Sequence, residues 1–508
     1  MKHYLESLVN TVTMYKLTAY GLLAISSLAL LMSAVGVLQQ PFVGLSAMFG
    51  VILATSYLSS RLFAWTFSTR HNSESWLITA LILFLIVGPP DAFELQTGQL
   101  WIYALLAGLV AFFATASKYI LAVRGKHIFN PAAAGVVFVS FLGLGGGYAT
   151  WWVATPVLLP FVVIAGILII VKTRRYAMVG SFLASALSMI IIVALLTDYP
   201  VIDALKLDIL SGPLLFFAAI MLTEPLTSPA TKKWQIAYAA IIGILFSSQL
   251  PWVSSPEIAL LIGNLFTFAV GLHYAPRLHI QKVIQLSQTT YEILATPNRP
   301  LLFKPGQYLE LSLPHTQQDI KGMRRVFSIA SAPDEKFVRF GITATGNVSS
   351  FKKELLASEG KIIRATQLGG DFTLPSDTSK SLLFIAGGVG ITPFRSMLSD
   401  MLHTSQRRDV TLFYGAATVD SVIYQDILDK AEQKVGLRVV PVIAEPTKDW
   451  EGESGFVRVS LLHRYVPDFR DRLIYISGPP VMVETIRKQL RQKGVDKRHI
   501  KTDYFTGY

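Results

Sequence analysis

The segment Arg324-Arg325-Val326-Phe327-Ser328 places a cation, an aromatic ring and a hydroxyl within four residues of one alternating, strand-like stretch. Those three groups at that spacing suit a flavin. Arg325 would neutralise a pyrophosphate, Phe327 would cover the ring system, and Ser328 would donate toward the ring nitrogen that receives a hydride. An exposed strand with a solvated arginine pair would carry the same letters, so the following sequence has to decide. Three small-residue turns follow it. Thr345-Gly346-Asn347-Val348-Ser349-Ser350 precedes a helix-like run, where Gly346, Ser349 and Ser350 would cradle phosphate, although a serine N-cap reads alike. Ala386-Gly387-Gly388-Val389-Gly390-Ile391-Thr392-Pro393 lies between an apolar strand and a helix, as a pyrophosphate-binding turn must. Tyr475-Ile476-Ser477-Gly478-Pro479 ends a later strand, where α/β sheets bind their ligands.

The elements that must hold these turns are legible as patterns. From Leu278 to about residue 375, short alternating strands with turn pairs such as Pro305-Gly306 predict a small β-barrel. Beyond it, strands over Ser381–Ala386, Val410–Tyr414, Leu437–Ile443 and Leu473–Ile476 alternate with helices over Pro393–Leu402 and Val422–Lys434. Such alternation predicts a parallel α/β sheet. The predicted organisation is a polytopic α-helical membrane domain over 1–275, a β-barrel over 278–378 and an α/β nucleotide-binding domain over 379–508.

Composition supports the membrane part. The chain has 508 residues, 52% of them hydrophobic and 15% charged, and its long apolar runs lie before about residue 275. Roughly ten stretches are apolar enough to predict spans, near 17–38, 42–66, 75–90, 98–121, 130–147, 151–172, 177–197, 207–224, 234–250 and 256–274. Basic loops alternate with acidic ones, which predicts a multi-pass protein of the inner (cytoplasmic) membrane with both termini on the cytoplasmic side. Trp101, Trp151, Trp152 and Trp252 would mark the outer interface. The net charge of +12 fits such loops, and no Arg/Lys block with interleaved aromatics points to nucleic acid. There is no cysteine, which excludes disulfides and cysteine-ligated clusters within the chain, and none of the nine histidines falls mid-span to ligate a transmembrane haem. No metal site is expected.

Two segments at the cytoplasmic edge stand out: Phe129-Asn130-Pro131-Ala132 and Thr223-Glu224-Pro225. Asn130 before Pro131 is a helix cap with proline at the first turn. The other reading places Phe129, Asn130, Thr223 and Glu224 around a ring. Together with Leu261-Ile262-Gly263-Asn264-Leu265-Phe266, these segments resemble the B subunit of the sodium-pumping NADH:quinone oxidoreductase and the D subunit of the Rnf complex over most of 18–275. That resemblance implies a flavin in the membrane half. The family's Ser-Gly-Ala-Thr attachment motif is absent, so an FMN here would be held noncovalently.

The four elements from Arg325 to Pro479 resemble, in their order, the ferredoxin–NADP reductase superfamily. The resemblance implies that Arg325, Phe327, Ser328, Gly346, Ser349 and Ser350 bind FAD. It implies further that Gly387, Gly388, Gly390, Thr392, Pro393, Gly478 and Pro479 bind the pyridine nucleotide. Ser328 would act in the reaction, and Tyr508 (or Phe505) would cover the flavin until nicotinamide displaces it. NADH is favoured over NADPH because Gly415–Asp429 holds no basic residue for a 2′-phosphate. The expected function is that of an electron-transfer enzyme: NAD(P)H to FAD, to a membrane-domain flavin, and on to quinone or an extracytoplasmic redox protein. The rival is a transporter or channel whose reductase domain senses redox state, since broken helices also build transport sites.

Overall fold

The computed structural model describes residues 12–68, 73–124, 126–143, 149–250, 253, 255–271, 273–315, 319, 322–346 and 348–503. The chain divides into two compact units between Tyr274 and Ala275.

The first unit is helical apart from a short hairpin of β1 (Ala122–Val123) and β2 (Lys126–His127). Each of the ten apolar stretches contains helix, but among the described residues four helices are long and apolar enough to cross a membrane: Met14–Ala34, Phe42–Thr66, Leu100–Ile120 and Tyr176–Leu196. A fifth results if the bent pair Val201–Leu210 and Leu214–Met221, which turn by 57°, counts as one span. Among the described residues the remaining expected spans are carried by helices of 11 to 16 residues. The physical reason is local. Pro131 opens a helix of 11 residues behind an Asn130 cap, and Pro256 opens one of 15 behind a Ser255 cap. At 1.5 Å per residue, 15 residues rise about 22 Å, short of the ~30 Å hydrocarbon layer.

These apolar helices suggest that the unit associates with membranes, and its packing agrees. Leu31, Leu58, Ile164 and Leu195 face outward and exposed, while Ser26, Ser56, Ser60 and Thr115 are buried between helices. Small polar residues at helix contacts and apolar ones outside are what a lipid solvent selects. Trp151 and Trp152 depart from the expected interfacial belt, because both are buried. The helix Ser73–Ile86 stops at Gly88-Pro89-Pro90, and its last carbonyls need donors. The 151–153 segment supplies them: Trp151 N–H to Ile86 (3.0 Å), Val153 N–H to Leu85 (3.2 Å) and the Trp152 indole N–H to the Phe84 carbonyl (2.7 Å). Trp252 lies outside the described residues.

The second unit contains two six-stranded sheets. The first is antiparallel. It comprises β3 (Arg277–Gln285), β4 (Thr290–Pro297), β5 (Tyr308–Ser312), β6 (Arg324–Ser328), β7 (Val338–Thr343) and β8 (Ile362–Gly369) in the order β6-β5-β8-β3-β4-β7. Its edge strands β6 and β7 form no ladder with each other among the described residues, but the Ala330 N–H just past β6 donates to the Arg339 carbonyl of β7 (2.8 Å), so the expected barrel is present as a six-stranded antiparallel sheet whose edges meet at that bond. The second sheet is parallel: β9 (Leu382–Gly387), β10 (Val410–Ala416), β11 (Leu437–Ile443), β12 (Glu453–Ser454), β13 (Leu473–Ser477) and β14 (Ile500–Asp503), ordered β12-β11-β10-β9-β13-β14. All six residues of β9 are buried, as a central parallel strand requires. The chain winds outward from β9 to β12 and then returns to β13 on the other side. The carboxyl ends of β9 and β13 therefore flank a topological switch point, the usual place for a ligand crevice.

Candidate functional site

A cavity of about 560 Å³ opens at that crevice, with walls from both sheets. The wall from the antiparallel-sheet part carries Arg325, Phe327, Ser328 and Ser349, and the wall from the parallel-sheet part carries Gly387, Gly388, Gly390, Thr392, Gly478 and Pro479. Residues separated by some 150 positions in sequence thus line one space. Gly346, Ser350 and Pro393 are not among its lining residues, and Tyr508 and Phe505 lie outside the described residues.

Each wall is set by local chemistry. The Arg325 guanidinium is buried, donates to the Arg324 carbonyl (2.6 Å), lies 3.6 Å from the Asp319 carboxylate and stacks 5.2 Å over the Phe351 ring. A cation held this way reaches an anionic ligand with little ordering left to do. The Phe327 ring stacks on Phe351 at 6.0 Å and 25°, which fixes its plane. Ser349 caps the helix Ser350–Leu356 by accepting from Lys352 N–H (3.4 Å). Ser350 donates its backbone N–H to Asp319 (3.0 Å) and accepts from the Asp319 N–H on its hydroxyl (3.0 Å). Those two serines therefore serve the helix start and the neighbouring loop.

On the parallel-sheet wall, Gly388 has φ +52°, and a Cβ there would meet nothing within 4 Å. Its backbone borders open space, the form of a cradle for a ligand that must come close. A Cβ on Gly390 would lie 2.4 Å from the Ser477 carbonyl oxygen, so the β9 and β13 turns touch through their main chains. Thr392 donates its hydroxyl to the Val389 carbonyl (2.9 Å), which closes the turn before the helix Thr392–His403.

Two cavity residues carry no signal in the sequence. Lys352 lines the flavin side, its ammonium donating to the Thr343 carbonyl (2.7 Å). Asp503, the last residue of β14, accepts from the Ser328 hydroxyl (2.8 Å). Burial pushes the Asp503 carboxyl up to about 7, with the Ser328 hydrogen bond pulling the other way. Nothing in the sequence pairs it with Ser328, since only the β13–β14 pairing brings it there.

In the first unit, Asn130 and Glu224 do meet. The Asn130 amide donates to the Glu224 carboxylate (2.8 Å), its oxygen caps Ala133 N–H (3.1 Å), and its backbone N–H donates to Asn264 (2.7 Å). Thr227 donates to the same Glu224 oxygen (2.8 Å). Thr223 turns back to its own helix at the Ala219 carbonyl (2.7 Å), and Phe129 is half-buried beside Asn130. The polar atoms of Asn130 and Thr223 are thus engaged within the protein. Asn130→Ala removes a helix cap and a donor to a half-buried carboxylate, a loss of about 2 kcal/mol. Thermal unfolding of the full chain in detergent is expected to show a midpoint several degrees lower; an unchanged midpoint would show that the cluster does not hold the helices together.

The family model described as "Oxidoreductase NAD-binding domain" matches residues 384–488, which span β9, the glycine turn and the Gly478-Pro479 turn. Among curated relatives, the phenol hydroxylase P5 protein of Acinetobacter pittii is 28% identical over 230 residues, covering 44% of this chain and 64% of that protein. The F subunit of the Na(+)-translocating NADH-quinone reductase of Marinomonas sp. is 30% identical over 202 residues, covering 36% of this chain and 49% of that protein. The chain therefore spans between half and two-thirds of these relatives' length. The crystal structure of the Amycolatopsis cytochrome P450 reductase GcoB aligns with 46% of this chain and 69% of its own, at 25% identity and a TM-score of 0.41. The family match and these relatives make the C-terminal half of the chain similar to NAD-binding reductase units, with the cavity and its two walls as the candidate site.

Proposed function

We propose that this chain is a membrane-bound flavin oxidoreductase that passes electrons from NADH through FAD to a flavin held noncovalently in the N-terminal unit. From there they go to quinone or to an extracytoplasmic redox protein. The observation that carries the reading is the shared cavity, in which the Arg325–Ser328 strand faces the Gly387–Gly390 turn. The residues fit the two ligands: a buried guanidinium for a pyrophosphate, a fixed aromatic plane for a ring, and a glycine backbone open to the cavity. FAD, when bound, would accept electrons in pairs and give them up singly.

The protein's own residues would bind, orient and manage a proton. Arg325 and Lys352 supply positive charge at the flavin wall. Gly388 and Gly390 admit the dinucleotide backbone. Asp503 holds or releases a proton beside Ser328 near neutral pH. Gly415–Asp429, with Asp420 and no basic residue, favours NADH. Placing a second flavin in the first unit follows from its resemblance to quinone-reductase and Rnf membrane subunits, with Phe129, Asn130, Thr223 and Glu224 as the candidate surroundings. Because Asn130 and Thr223 spend their polar atoms internally, such a flavin would rest on packing more than on those two side chains.

The deciding experiment is the flavin content of the detergent-purified chain, released by acid and resolved into FAD and FMN, followed by anaerobic reduction with NADH. Near-equal FAD and second flavin, both bleached by NADH, is the expected result. FAD alone would remove the membrane flavin and favour a transport role for the broken helices that meet at Asn130 and Glu224. Removing the cation at the flavin wall, as in Arg325→Ala, is expected to weaken FAD binding by roughly 10- to 30-fold, the scale of one charge-assisted contact. Fluorescence titration of flavin-stripped protein would read this, and an unaltered Kd would take Arg325 out of the site.

A further inference from the structure

The helix Thr392–His403 turns one face to the loop that follows β6. Arg395, Ser399 and His403 recur at intervals of four, and every one of them engages that loop. The Arg395 guanidinium donates to the Ala330 carbonyl (2.7 Å) and pairs with both Glu335 oxygens (2.6 and 3.2 Å). Ser396 donates to the Ser331 carbonyl (2.6 Å), Ser399 to Glu335 (2.9 Å), and His403 Nδ1 lies 2.6 Å from the Asp334 carboxylate. Glu335 also accepts from Arg339 of β7 (3.0 Å), which in turn donates to Glu292 of β4 (2.6 Å). A chain of alternating charge thus runs from the flavin sheet into the nucleotide-binding part. Its ends are deeply placed: Arg395 and Glu292 side chains are 7% and 4% exposed.

Burying Arg395 and Glu292 and half-burying Glu335 and Arg339 is a poor way to add stability, because desolvation consumes most of the Coulombic gain. What a bidentate guanidinium–carboxylate pair does supply is a fixed distance and angle. The two points joined here are close to the cavity. Arg395 is three residues beyond Thr392, and Ala330 is two beyond Ser328; Thr392 and Ser328 both line the space. Directly between them, a Cβ on Gly341 of β7 would lie 2.5 Å from the Thr392 methyl, so the two walls already touch.

We propose that Arg395, through its pair with Glu335, is a positioning residue for hydride transfer: it sets the separation between the nucleotide turn and the flavin strand. The inference rests on the proposed reaction, in which NADH is oxidised to NAD⁺ and its hydride, with both electrons, reduces FAD. Transfer requires reacting atoms about 3–3.5 Å apart, and a displacement of ~1 Å costs on the order of 100-fold.

Anaerobic stopped-flow reduction by NADH of the full chain with FAD bound tests it, using Arg395→Met, Arg395→Lys and Glu335→Gln. Arg395→Met is expected to keep its FAD but to bleach roughly 10- to 100-fold more slowly at saturating NADH. Its half-saturating NADH concentration should stay within about threefold, and the long-wavelength charge-transfer absorbance of the NADH–FAD complex should weaken. Arg395→Lys, which keeps the charge and one donor, should recover part of the rate and of that band. A purely structural role would lower FAD content or thermal stability without moving the charge-transfer band. Should Arg395→Met lose its flavin, Glu335→Gln, which keeps the side-chain size, reads the same geometry. Wild-type bleaching rate and band in a flavin-replete Arg395→Met or Glu335→Gln variant would overturn the inference. A wild-type chain that NADH does not bleach would instead overturn the proposed reaction beneath it.

Discussion

Gly390→Ala is expected to slow NADH-dependent flavin reduction by 100-fold or more while leaving FAD in place. The reason is the identity of the neighbours. A Cβ at this position would sit 2.4 Å from the Ser477 carbonyl oxygen and 2.6 Å from Gly478 Cα and N. All are main-chain atoms, so no side-chain rotation relieves the overlap and the β9 and β13 turns must part. Those turns are the nucleotide wall of the cavity. A shift approaching 1 Å there costs on the order of 100-fold in a reaction that needs near-contact geometry. Arg325, Phe327 and Ser328 stand on a different sheet and should keep their flavin. Gly388→Ala is the control with a different physical cause. Its φ of +52° strains an alanine by about 1 kcal/mol, but nothing lies within 4 Å of the added methyl. Its effect should be nearer tenfold. Stopped-flow bleaching at saturating NADH separates the two, and a Gly390→Ala rate equal to wild type would show that the turns do not form the nucleotide wall.

The contrast between these glycines also marks what the sequence made legible. That glycines fall between an apolar strand and a helix is a local pattern, and β9, the turn and the helix Thr392–His403 stand within a residue or two of where periodicity places them. Asn130 before Pro131 likewise announces a helix start, because capping is settled within one turn. Pairings between distant segments were not legible. Asp503 reads as a lone acid ahead of an aromatic tail until β14 lies beside β13. Arg395 reads as a cation on a short amphipathic helix until Glu335 is seen opposite. Trp151 and Trp152 read as interfacial tryptophans, but the open carbonyls at the end of the helix Ser73–Ile86 take them inward. Hydropathy finds apolar stretches without saying where proline and a bend will break them. Among the described residues the ten stretches therefore hold four helices long enough to span, with the remainder short or bent. Closure of the antiparallel sheet is likewise hidden from the sequence. Alternation gives strands, but whether edge β6 meets edge β7 depends on twist and on the bulges at Ile280/Lys282 and Glu310/Leu311.

Asp503→Asn is expected to raise stability at alkaline pH while damaging the reaction, and both effects follow from one buried carboxyl. Its folded value of about 7 lies above the ordinary 3.8 because burial disfavours the charged form. A raised carboxyl binds its proton more tightly folded than unfolded. Its contribution is therefore fully present below the unfolded value and is lost as pH rises through the folded one. The decline runs from about pH 4 to 7 and amounts to something on the order of 4 kcal/mol. Asparagine keeps an acceptor for the Ser328 hydroxyl, now 2.8 Å away, and never ionises. The variant should therefore melt at a higher temperature than wild type at pH 8, with the gap closing as pH falls toward 4. For the reaction the sign is opposite. A carboxyl that titrates near neutrality beside Ser328, at the flavin wall, is suited to hold the proton that accompanies electron pairs. Removing it should lower flavin turnover by roughly 100-fold and abolish an inflection near pH 7 in the rate profile. Paired melting curves and pH–rate profiles of the two proteins measure both arms. A variant no more stable at pH 8 would mean that Asp503 is ionised at no cost in the fold. An inflection that survives the substitution would assign the proton to another group.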